Sequence, residues 1–162
     1  MLEVIIKYFL TFIIISFIGW SIEEFYSIFI AKEKMNRGFL VGPLCPIYGF
    51  ASIIMILTLS PFKDNLIILF FASIIICGVF EYISSYILEK VLNIKLWDYD
   101  ESKFKYSIGG RIALETLLPF GILGIILVLF INPIIQNILN SININILYIV
   151  SIIIFIIGSI DL

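Results

Sequence analysis

Leu66–Leu88 reads LIILFFASIIICGVFEYISSYIL and carries one charge, Glu81. In water a run this rich in isoleucine and phenylalanine would suit a strand. Its length decides otherwise. About 20 apolar residues cross the hydrocarbon core of a bilayer as a helix, and in lipid only a helix or a closed barrel satisfies its own backbone. The stretch therefore predicts a transmembrane helix.

Four further segments read the same way: Val4–Ile30, Cys45–Leu59, Ile112–Ile131 and Ile144–Ile160. The second is short and is expected to begin as early as Leu40. The expected fold is all-α, a polytopic integral membrane bundle of about five transmembrane helices, built as one transmembrane domain over residues 1–162. The bulk numbers agree. The 162 residues are 62% hydrophobic with a mean hydropathy of +1.18, against about 45–50% apolar for a soluble domain. So apolar a chain has too little polar surface to cover a soluble core. The lipid bilayer is its expected partner and a multi-pass place in the cell membrane its expected location. The apolar start is too long for a signal peptide and no small-residue cleavage site follows it, so it reads as a retained first helix.

Composition also excludes chemistry. The net charge is −2 and no basic run occurs, so no nucleic-acid partner is expected. There is no histidine, and the two cysteines, Cys45 and Cys77, form no C-x-x-C. The usual zinc sites, histidine triads and haem ligation by histidine fall away. No metal, no cofactor and no catalytic residue is expected, and both cysteines read as packed small hydrophobes. No G-x-x-x-x-G-K-[ST] occurs, so the chain has no ATP site of that kind.

Charge sets the expected orientation. The first and third connections hold Lys32, Lys34, Arg37, Lys90, Lys95, Lys103, Lys105 and Arg111, and the other side keeps Lys7 and Lys63. The positive-inside rule puts the N-terminus outside and the C-terminus inside. Glu23, Glu81 and Glu115 then fall in the cytoplasmic half of their helices, where a charge costs about 2.5–3.5 kcal/mol near a helix centre. Such acids need partners, protonation or water. Ser16, Gly19, Glu23 and Ser27 share one face of the first helix, as Gly78, Glu81 and Ser85 do on the third. Arg111 precedes Glu115 by four residues, a spacing that lets them pair, and Pro119 frees the carbonyl of residue 115. The expectation is a polar cluster open to the cytoplasm. The alternative is that these acids only assemble the helices.

Met35–Phe50, MNRGFLVGPLCPIYGF, has more glycine and proline than a turn requires. It reads as a cytoplasmic turn that folds back into the mouth of the second helix, with Arg37 at its tip within reach of Glu23. Lys95–Tyr106, KLWDYDESKFKY, mixes charge with aromatics and reads either as an interfacial belt or as a docking surface for a cytoplasmic partner. Two hairpins also look weakly alike: Gly19, Glu23, Tyr26, Arg37–Gly38, Pro46 and Gly49, then Gly78, Glu81, Tyr86, Gly110–Arg111, Pro119 and Gly121.

Five stretches, GWSIEEFY (Gly19–Tyr26), NRGFLVGPLCPIYG (Asn36–Gly49), EYISSYILEK (Glu81–Lys90), WDY (Trp97–Tyr99) and GRI (Gly110–Ile112), occur in the order in which the putative ABC-transporter type IV family of bacterial membrane proteins carries them. Over nearly its whole length the chain resembles that family of CmpB-like permeases. Ser107 and Gly109 stand where the family favours asparagine, Phe120 where it favours tryptophan, and Leu96 where it favours the first of two tryptophans. Family members tend to continue past the fifth helix, whereas this sequence stops at Leu162.

The resemblance implies a permease-like component of a transport system in the bacterial inner membrane. It points to Glu23, Tyr26, Asn36, Arg37, Glu81 and Arg111, which with Glu115 make up the expected substrate or ion pathway. It points also to a structural set of Gly19, Trp20, Gly38, Gly42, Pro43, Pro46, Tyr48, Gly49, Trp97, Asp98, Tyr99 and Gly110. ATP coupling would need a separate ATPase subunit on the first and third connections, and so small a bundle would need a homo-oligomer. Two other readings stay open: a membrane enzyme acting on lipid or isoprenoid-phosphate head groups, and a small regulatory membrane subunit.

Overall fold

Apolar periodicity, caps and two prolines set the elements. The computed structural model describes residues 1–31, 42–93, 97–99 and 104–160. Helix α1 is Leu2–Tyr26 and runs on through one wider π turn, Ser27–Ala31. Helix α2 is Pro46–Leu59; proline suits its first position, where a missing N–H costs least. A single 3-10 turn, Ser60–Phe62, follows it. Helix α3 is Leu66–Leu92. Its start is fixed by Asn65, whose side chain accepts the N–H of Ile68 at 3.1 Å. Its end is fixed by Asn93, left-handed at φ 54°, whose N–H returns to the carbonyl of Leu88.

A small hairpin comes next. Strands β1 (Ser107–Ile108) and β2 (Ile112–Ala113) are antiparallel, Ser107 opposite Ala113 and Ile108 opposite Ile112. Gly109 and Gly110 turn the chain at φ 57° and 68°, angles that glycine adopts without penalty. Helix α4 (Leu114–Ile126), a π turn (Leu127–Ile131) and helix α5 (Asn132–Ser141) then form one long run, and helix α6 is Ile144–Ile160.

The protein is therefore all-α. Among the described residues, three helices are long and apolar enough to cross a membrane: Leu2–Phe29, Leu66–Val91 and Leu114–Ser141. Pro46–Phe62 and Ile144–Ser159 are shorter apolar helices. The fourth helix departs from its expected bounds at both ends. Ile112–Ala113 is strand, because it pairs with Ser107–Ile108. Asn132–Ser141 is helix rather than connection, because its amide side chains find partners on α1. Pro133 has no N–H to give the turn before it, and that turn is the one widened into π geometry.

The residues pack as two units, Met1–Ile53 with Asn132–Leu162, and Ile54–Ile131. In the first, α1 packs with α5 and α6, and the buried apolar residues include Ile6, Leu10, Ile15, Ile135, Leu139 and Leu147. In the second, α3 packs with α4, and the buried set includes Met55, Ile56, Leu69, Cys77, Leu117, Leu127 and Val128.

Candidate functional site

In the first unit, polarity on α1 is met by two neighbours. Toward its N-terminal end, Lys7 pairs with Glu3 and donates to Asn140 Oδ1 at 2.8 Å. The buried Thr11 donates to the carbonyl of Lys7 at 2.7 Å and accepts from Gln136 Nε2 at 3.1 Å. Asn132, Gln136 and Asn140 are spaced by four on α5, as Lys7 and Thr11 are on α1, so two helix ridges meet along a polar seam. Sequence reasoning missed this seam by taking the asparagines for a connection. The regular spacing of four was the signal available.

Further along α1 the neighbour is α2. The Cys45 N–H donates to the carbonyl of Ser16 at 3.0 Å. Ser16 stands near the middle of the Leu2–Phe29 helix, so the chain before α2 runs beside the inner part of α1 rather than its end. Glycine permits this closeness. Phe12 and Ser16 occupy the place a Cβ on Gly49 would take, and the Tyr48 ring does the same at Gly19. The Tyr48 hydroxyl, brought this near, donates to Glu23 Oε1 at 2.5 Å. Glu23 is half-buried, and a hydrogen bond to an ionised carboxylate is among the stronger ones. Tyr48 was expected as a structural residue only; its part is to hold the carboxylate. Trp20 stacks on Phe17 at 6.0 Å. Pro43 is exposed, the carbonyl of Gly42 accepts from the Leu44 N–H at 2.8 Å, and Tyr26 is exposed. Asn36, Arg37 and Gly38 lie outside the described residues.

In the second unit, Trp97–Tyr99 lies as a strap on the Gly109–Arg111 turn. Trp97 Nε1 donates to the carbonyl of Arg111 at 3.0 Å, and the Tyr99 N–H to the carbonyl of Gly110 at 2.9 Å. Ser107 Oγ donates to the carbonyl of Tyr99 at 2.7 Å. Asp98 Oδ1 stands 2.5 Å from where a Cβ on Gly110 would be. Two sequence motifs, WDY and GRI, are thus the two sides of one clamp, with Trp97 and Tyr99 both hydrogen-bonded to the Gly-Arg turn. The Tyr99 hydroxyl reaches Glu81 Oε1 at 3.3 Å, so α3, the strap and the hairpin turn are joined at one carboxylate.

Arg111 departs from its expected partner. Its guanidinium pairs with Glu89 at 2.5 Å and donates to the buried Ser85 at 3.2 Å. It lies over the rings of Tyr86 and Tyr82 at 5.6 and 5.9 Å. Glu115 instead accepts the N–H of Tyr106 at 3.2 Å. The four-residue spacing of Arg111 and Glu115 carries no helical meaning, because α4 starts only at Leu114. Glu89, four residues beyond Ser85 on α3, was the partner to look for.

Each unit thus holds one half-buried glutamate with a tyrosine hydroxyl on it. Such a carboxylate can accept a proton or attract a cation, and the phenol fixes where it points. The model of a family described as "Putative ABC-transporter type IV" matches residues 10–162. Neither the curated proteins nor the solved structures contain a match to the chain. With the strap, the Gly-Arg turn, Glu23 and Glu81 all inside the matched region, the chain belongs to the putative ABC-transporter type IV family.

Proposed function

We propose that the protein is a permease-like, multi-pass component of a transport system in the bacterial inner membrane, with its N-terminus outside. In this reading the Glu23–Tyr48 pair is reached from the cytoplasm, and a separate ATPase docks on the first and third connections of a homo-oligomer. The observation that carries it is the bond from Cys45 N–H to the carbonyl of Ser16. Non-helical backbone beside the middle of a membrane helix is tolerated where it is buried in protein or lines a water-filled path. Transporters place their binding groups beside such interruptions. The family description and the eight-to-two bias of Lys and Arg support the same reading.

The test is purification in mild detergent with a search for a co-purifying ATPase, then flux in vesicles carrying both. Glu23→Gln is expected to abolish ATP-dependent flux at unchanged protein level. A single clean component, with no flux alongside any candidate ATPase, would sink the reading. Bound lipid turned over by the wild type but not by Glu23→Gln would move the protein to the enzymes.

A further inference from the structure

Both α1 and α3 bury one ridge of residues spaced by four. On α1 it reads Thr11, Ile15, Gly19, Glu23, Ser27; on α3 it reads Leu69, Ser73, Cys77, Glu81, Ser85. The two glutamates are half-buried and every other member is buried. One shift of 58 carries the first ridge onto the second, Glu23 onto Glu81 and Ser27 onto Ser85. The same shift carries Phe12 onto Phe70. Each of these rings fills the space beside a glycine of the following helix, Gly49 and Gly121 respectively.

The second helices keep a register of their own. Gly49 to Gly121 is a shift of 72, and it also carries Ser52 onto Gly124, Met55 onto Leu127 and Ile56 onto Val128, all buried. The difference of 14 between the shifts falls between Ser85 and Gly121, a stretch that includes Trp97–Tyr99. Small residues alone would argue little, since helices in lipid often pack through them. The stronger point is that a ring-on-glycine contact and a glutamate stand 11 residues apart on both first helices.

The phenol completes the comparison. A shift of 72 carries Tyr48 onto Phe120, which has no hydroxyl. Glu81 nevertheless accepts one, from Tyr99 in the longer connection. We infer that the chain is a duplicated helical hairpin in which Glu81–Tyr99 is the second copy of the Glu23–Tyr48 site, its hydroxyl supplied from the connection because residue 120 lacks one. The protein then carries two matched carboxylate sites, and α5 and α6 lie outside the repeat. This goes beyond the transport reading and does not rest on it.

The register predicts that a hydroxyl at position 120 replaces the one at position 99. Apparent melting temperatures in detergent are measured for wild type, Tyr99→Phe, Phe120→Tyr and the double variant. Tyr99→Phe is expected to fall by about 2–4 °C, the shift a lost hydrogen bond gives in a chain of this size, and the double variant to recover at least half of it. A double variant no better than Tyr99→Phe overturns the inference, and so does a Tyr99→Phe protein as stable as wild type. Should Tyr99→Phe fail to accumulate, a cycle of Phe120→Tyr with Glu81→Gln reads the same contact. Non-additive shifts are expected, and additive ones reject the register.

Discussion

Gly124 and Gly158 sit in apolar helices of similar composition and meet opposite surroundings. A Cβ on Gly124 would run into the Ser73 side chain, whereas nothing stands within 4 Å of one on Gly158. Gly124→Ala is therefore expected to destabilise by about 1–3 kcal/mol, the usual cost of overpacking, and Gly158→Ala to leave the melting temperature unchanged or slightly raised. Gly110 is constrained twice, by φ 68° and by Asp98. Gly110→Ala is expected to loosen the strap, read as faster cleavage at Lys105 or Arg111 by trypsin. The Tyr48 hydroxyl donates to a charged acceptor, Glu23. Removing it as Tyr48→Phe leaves Glu23 short of a bond worth about 1.5–3 kcal/mol, measurable as a lower denaturation midpoint. An unchanged midpoint would mean that water serves Glu23 as well as the phenol does.

At the level of elements, the seam between α1 and α5 rests on Gln136. Gln136→Leu leaves the buried Thr11 hydroxyl without its side-chain donor and is expected to cost about 1–3 kcal/mol. An exposed polar change on the same helix, Asn137→Gln, is expected to cost under about 0.5 kcal/mol. Thermal scans of the two variants side by side test this. The same seam marks where sequence reading stops. The apolar helices were legible because length and hydropathy are properties of a segment taken alone. Helix α5 was not, because asparagine and glutamine favour connections unless a neighbour satisfies them, and the neighbour stands more than 120 residues away. The pairing of Glu23 with Tyr48 was hidden for a similar reason. Both residues stood out, but only the closeness allowed by Gly19 and Gly49 brings the phenol to the carboxylate. For Arg111 local spacing misled, since a four-residue step means adjacency only inside a helix.

Across the whole chain, the second unit is one continuous piece, Ile54–Ile131, and the first is made of two, Met1–Ile53 and Asn132–Leu162. The bond from Lys7 to Asn140 closes over 133 residues. During synthesis the ribosome delivers the second unit whole while the first still lacks α5 and α6. At about 5–20 residues per second, Lys7 and Thr11 wait on the order of ten seconds before their partners on α5 are made. A nascent chain stopped at Ile131 should already shield Cys77 from a small alkylating reagent as well as the finished protein does; rapid alkylation there would mean that the second unit needs the first. Until Asn132–Ser141 arrives, Lys7 and Thr11 have only their partners on α1, Glu3 and the carbonyl of Lys7, and the polar seam of the finished protein is half built.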